Sequence, residues 1–123
     1  MQDYTNYHFT IIDDGSVDGT ATLIKSFLES QEKVNRSQYE IVTHTERTFS
    51  LSSIRNASKN YCKEEDIIVV VDGDDELLGR QVLKLFNAVF QEKGVWYMYT
   101  NFLGSIGKVG YSRPYHPDII EKN

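Results

Sequence analysis

The 123-residue sequence predicts an α/β domain, a sheet of mostly parallel strands with helices packed over it. Three observations carry that class. Short β-branched runs alternate with segments of helical spacing. The run IIVVV at 67–71 is continuously apolar, as a strand buried between two helix layers must be. Acidic residues stand directly after two of the strands, at the sheet end where open α/β folds bind ligands.

Taken in order, HFTII at 8–12 reads as a buried strand, and GSVDGTATLIKSFLES follows as a turn and a helix. That helix places Leu23, Ile24, Phe27 and Leu28 on one face, with Asp18 or Thr20 available to cap it. YEIVT at 39–43 is a second strand, and SLSSIRNASKNY spaces Leu51, Ile54, Ala57 and Tyr61 for one helical face. The third strand is 67–71. RQVLKLFNAVFQEKG then reads as a helix with Val82, Leu83, Phe86, Val89 and Phe90 inward, Lys93 near its end and Gly94 stopping it. VWYMYTNF at 95–102 completes a β-α-β-α-β-α-β order. The tail from 105 onward, SIGKVGYSRPYHPDIIEKN, holds too many breakers for a regular element and reads as loop.

Composition excludes several classes of function. Thirteen basic against 18 acidic residues give a net charge of −5, and the basic residues are scattered singly, so no face can neutralise a nucleic-acid backbone. The longest apolar run is far too short for a membrane span, and the N-terminal MQDYTNYH has neither a basic nor an apolar signal region, which points to the cytoplasm. Cys62 is alone and reads as a small half-buried apolar residue; with His8, His44 and His116 scattered, no zinc spacing exists. The sequons at Asn35 and Asn56 matter only in a luminal chain.

The chemistry lies at the strand ends. Asp13 and Asp14 follow the first strand, and Asp72, Gly73, Asp74 and Asp75 follow the third. Five carboxylates on one rim repel one another unless cations or hydrogen-bond donors share the site. A hard divalent ion, Mg²⁺ or Mn²⁺, resolves the conflict, since such ions take one or two carboxylates plus substrate phosphate oxygens. Asp14 is then an acceptor suited to a base N–H or a ribose hydroxyl. The competing reading of the first cluster is a helix start in which Asp14, Ser16 and Asp18 only cap. A calcium loop fails because Lys25 stands where its bidentate glutamate is required. A phosphatase of the haloacid dehalogenase type would need Thr or Val where Glu76 stands, and a receiver domain would not place its acceptor in an acidic cluster.

IIDDGSVDGT, then SSIRNAS, then VVVDGDDELLG resembles, in order and spacing, the nucleotide-sugar-binding half of family 2 glycosyltransferases, from about Gln2 to Phe102. The resemblance implies a GT-A, Rossmann-like, mostly parallel sheet with helices on both faces, incomplete here. It implies one partial domain over 1–123, with 1–103 its core and 104–123 a tail. It also implies transfer of a sugar, with inversion, from a nucleoside diphospho-sugar, most simply a UDP-sugar, to a glycan, lipid or protein acceptor. Asp14 would then contact the base with Asp13 beside it, and Arg55 would lie near the nucleotide. Asp72, Asp74 and Asp75 match the family's DxDD cluster, with Asp72 and Asp74 on the nucleotide-sugar and Asp74 and Asp75 on Mn²⁺ or Mg²⁺.

Trp96 and Tyr99 would be packing residues of the strand after this cluster. The sequence departs from the family in lacking the opening strand that ends in a PxYN-like stretch and the helix after it. No residue corresponds to the family's catalytic base, and Asp118 and Glu121 read as solvated tail residues. A nucleotide-sugar-binding module without turnover, and a metal-dependent phosphatase, are the alternatives. With a central strand lacking, the chain is expected to be only marginally stable.

Overall fold

A computed structural model describes residues 2–32, 34–92 and 94–112. The elements are β1 (Phe9–Asp13), α1 (Thr20–Ser30), β2 (Tyr39–Thr43), α2 (Ser50–Tyr61), α3 (Val82–Phe90), β3 (Phe102–Leu103) and β4 (Val109–Gly110), with a 3-10 turn at Arg36–Gln38 leading into β2. The chain forms two compact units, Met1–Ala88 and Val89–Asn123.

The first unit is built on a β-α-β crossover. β1 and β2 pair in parallel, from Phe9↔Tyr39 to Asp13↔Thr43, so both strands end at the same rim. An aromatic stack opens the ladder, Phe9 on Tyr39 with ring centroids 5.7 Å apart, and contributes to fixing its register. α1 begins at Gly19, held in the left-handed region, while the Asp18 carboxylate accepts from Thr20 N–H at 3.1 Å and Thr20 Oγ1 at 2.6 Å. Asp18 therefore holds the helix start, as its position in the sequence suggests. α2 packs against β1, and Ser53 is the α2 residue that becomes buried.

The α/β class and the parallel β-α-β order hold, while the third and fourth strands do not form as expected. Residues 67–71 adopt no strand, and Ile68 and Val70 stay half exposed. Among the described residues β1 pairs with β2 along one edge and with no strand along the other, so the run does not join the sheet. A β-branched run becomes a strand only where a neighbour supplies backbone partners. The same correction applies to 95–102, of which only Phe102 is a strand residue. Trp96 stands almost fully exposed instead of packing, its ring centroid 6.4 Å from that of Tyr97, which lies 5.9 Å from that of Tyr99.

The tail of the second unit holds more order than its breakers suggest. β3 and β4 pair antiparallel, Phe102↔Gly110 and Leu103↔Val109, across a turn closed by Gly104 N–H on Lys108 C=O at 2.8 Å. A Cβ at Gly110 would fall on the Phe102 ring, so glycine is what lets that ring lie over the facing strand. Lys93, His116, Asp118 and Glu121 lie outside the described residues.

Among the helices, α3 agrees best with its pattern: Val82, Leu83, Phe86, Val89 and Phe90 are half-buried and Leu85 faces out. Its start is held from a distance, with Gln2 Oε1 accepting from Leu83 N–H at 3.2 Å and the Arg80 guanidinium meeting Asp3 at 2.7 Å. The expected faces of α1 and α2 are corrected. Leu28 is the only buried apolar residue described, at 7% exposure, whereas Leu23, Phe27 and Leu51 are open to solvent. Among the described residues the sheet at β1 holds two strands, which leaves those side chains uncovered.

Two substitutions test this core. Leu28→Ala is expected to cost about 2 kcal/mol, the low end for a buried leucine, and to lower the melting midpoint measured by circular dichroism. Leu23→Ala is expected to leave that midpoint unchanged.

Candidate functional site

The rim beyond β1 and β2 is where the chain gathers its polar side chains. Asp13 ends β1, and its backbone C=O accepts from His44 N–H at 2.9 Å, carrying the ladder one residue past β2. Its side chain is buried, at 4% exposure. Oδ1 accepts from Ser16 N–H at 3.3 Å and closes the turn, while Oδ2 has no hydrogen-bond partner among the described residues. Gly15 follows at φ +82°, and a Cβ there would meet the backbone of Glu46 and Arg47 at 3.2 Å. Both features demand glycine and bring the 46–49 loop down onto the end of β1.

Asp14 occupies the centre of that contact. Its Oδ1 accepts from Thr48 N–H at 2.8 Å, from Thr48 Oγ1 at 2.8 Å and from His44 Nδ1 at 3.0 Å, with Ser53 Oγ at 3.4 Å. Oδ2 accepts from Phe49 N–H at 3.1 Å. Phe49 is the residue at which α2 begins, with φ +67° and no side-chain cap of its own. A left-handed phenylalanine is strained, and the Asp14 carboxylate is the partner that holds it. The same carboxylate faces the positive end of the α2 dipole.

The protons in this cluster can be assigned by elimination. An ionised carboxylate only accepts, so Thr48 gives its hydroxyl proton to Asp14, and the Thr48 and Ser53 hydroxyl oxygens lie 2.6 Å apart. The hydrogen bond from His44, followed by those from the Thr48 backbone and hydroxyl, holds the Asp14 carboxyl well below the usual carboxylate range.

The other expected site residues lie apart from this network. Arg55 is exposed on α2, with no ion pair or hydrogen bond among the described residues. Asp72, Asp74 and Asp75 share one exposed turn, closed by Asp75 N–H on Asp72 C=O at 3.0 Å. Among the described residues no group of three or more His, Cys, Asp or Glu side chains converges in a way that could hold a metal ion. The turn therefore offers hard oxygen donors without a closed cage.

Sequence reasoning missed His44, Thr48, Phe49 and Ser53. A signal for His44 was present, since it follows the second strand as Asp14 follows the first. The capping alternative proves half right: Asp13, not Asp14, binds the Ser16 amide, and Asp14 serves the helix after the next strand.

Compared with known proteins, residues 1–121 match the model of the family described as glycosyl transferase family 2. No curated protein and no solved structure matches the chain.

Because Asp14 has its carboxyl lowered from an ordinary value of 3.8 by folding, its contribution to stability is complete above that value and is lost as pH falls below it. Acid titration followed by circular dichroism is expected to show this limb. Asp14→Ala is expected to lower the melting midpoint at pH 7 by several degrees and to flatten the limb, by removing the partner of Thr48, Phe49 and His44 together.

Proposed function

The chain belongs to glycosyl transferase family 2, and from that membership we propose that it binds a UDP-sugar at the strand-end rim, for transfer of the sugar with inversion to a glycan, lipid or protein acceptor. The single observation that carries this reading is the family match, because its span includes every residue of the Asp14 network and of the 72–75 turn.

In this reading the chain's own residues divide the donor between them. Asp14 stands on the side that takes the base, with Asp13 buried beside it at the end of β1. Arg55, unpaired among the described residues, brings a positive charge to the nucleotide. Asp72 and Asp74 receive the ribose and diphosphate side, and Asp74 and Asp75 are the carboxylates that would hold Mn²⁺ or Mg²⁺ together with the diphosphate. Such an ion, when bound, stabilises the charge that develops on the leaving nucleoside diphosphate as the anomeric C–O bond breaks. The exposed, unengaged carboxylates of the 72–75 turn support this division.

Calorimetric titration with UDP is expected to show binding that requires Mn²⁺ or Mg²⁺ and weakens at least about tenfold in Asp75→Asn. Equal binding with and without the ion would overturn the metal assignment. Failure of the folded chain to bind UDP would overturn the donor.

A further inference from the structure

Three of the eight glycines follow an aspartate, at Asp14–Gly15, Asp18–Gly19 and Asp72–Gly73. Such a pair carries a reaction of its own. Glycine has no side chain to shield its amide nitrogen, so that nitrogen can attack the carboxyl carbon of the residue before it. A C–N bond forms, a C–O bond breaks, and the amide proton leaves with the hydroxyl as water, which closes a cyclic imide. Water then adds back to either imide carbonyl. Opening at one restores aspartate, and opening at the other leaves isoaspartate, whose main chain runs through the former side chain.

The reaction needs a carboxyl free to turn onto the next amide, and the fold denies this to two of the pairs. Asp14 is held by Thr48 N–H and Oγ1 at 2.8 Å and by Phe49 N–H at 3.1 Å, while Gly15 is packed against the backbone of Glu46 and Arg47. Asp18 is held by Thr20 N–H at 3.1 Å and Oγ1 at 2.6 Å, and Gly19 is fixed by its C=O accepting from Leu23 N–H at 3.0 Å. The hydrogen bonds from His44 to Asp14 and from Thr20 to Asp18 also keep both carboxyls below their ordinary range, which depletes the acid form that gives up hydroxyl.

Asp72–Gly73 meets none of these restraints. Both residues are exposed, and neither the Asp72 carboxylate nor the Gly73 N–H has a hydrogen-bond partner among the described residues. A Cβ built on Gly73 would have no neighbour within 4 Å. The pair heads the turn closed by Asp75 N–H on Asp72 C=O at 3.0 Å, and in turns an aspartate side chain folds back toward the amides that follow it.

We propose that Asp72–Gly73 is a modification site, at which the folded protein converts its own aspartate to isoaspartate while Asp14 and Asp18 are spared. The product keeps its negative charge. It adds one atom to the main chain inside the 72–75 turn and carries its carboxylate on a shorter arm, so the turn loses its spacing. The site stands on the chain's own chemistry; its effect on ligand binding rests on the proposed UDP-sugar reading, in which this turn receives the diphosphate.

The test incubates the protein at neutral pH in H₂¹⁸O and then digests it in ordinary water, since each imide that opens takes up one ¹⁸O. The tryptic peptide 64–80 is expected to carry the label at Asp72, and an endoproteinase specific for aspartate is expected to lose its cut before that residue. Label at Asp14 and at Asp18 is expected to be lower by at least about tenfold, the effect of one hydrogen bond that must open before either carboxyl reacts. Gly73→Ala, whose methyl group shields the nitrogen in open space, is expected to melt as the unmodified protein does and to take up label several-fold more slowly. Calorimetry of the converted fraction with UDP and Mn²⁺ is expected to show binding weakened at least about tenfold against fresh protein.

Absence of label at Asp72, equal label at Asp14 or Asp18, or an unchanged rate in Gly73→Ala overturns the site and leaves the donor reading standing. Label confined to Asp72 in a protein that binds no UDP even when fresh establishes the site and overturns the donor. Full UDP binding by the converted fraction overturns the effect on the turn.

Discussion

The Asp14 carboxylate is the contact on which the first unit depends. It joins the end of β1 to the start of α2 across a sequence distance of more than thirty residues, and it does so with charge-assisted hydrogen bonds from two backbone amides, a hydroxyl and an imidazole. Little apolar packing stands behind it, since Leu28 is the one buried apolar side chain described. Where a core is this thin, polar closure carries an unusual share of the specificity of the fold. The strained φ of Phe49 and the left-handed Gly15 are both tolerated because the carboxylate draws the loop onto the turn.

How much of this is legible in the letters depends on the range of the interaction. β2, α3 and the approximate start of β1 follow from period and composition, because those signals are local. The 67–71 run shows the limit: its β-branched letters describe a strand, yet a strand also needs a neighbour, and the ladder beside β1 is not filled among the described residues. Faces fail for the same reason. Leu23 and Phe27 are spaced to meet a sheet, and where no sheet extends they remain exposed. β3 and β4 were hidden for the opposite reason, since two-residue strands leave no periodicity to read.

At the site, the acidic residues announce themselves by following strands, and their family resemblance assigns them to a nucleotide-sugar. What the letters do not show is the division of labour between neighbours. Asp13 and Asp14 are adjacent and chemically identical, yet one is buried with an oxygen unpartnered and the other is half-exposed and saturated. Alternation along the strand sends the two side chains to different surroundings, and only the loop that returns from β2 decides which of them is engaged.

The start of α2 is held by a residue of the preceding crossover, and the start of α3 by Gln2 at the far end of the chain. A helix capped by its own neighbour can flicker into existence alone, whereas one whose first turn is completed from afar must wait for the chain to close on itself. Both helices are thereby tied to loop closures of about 35 and 80 residues. The unit is accordingly built to assemble late and together: its helices gain their last stabilisation only when the strand rim exists, so secondary structure and rim appear in the same step.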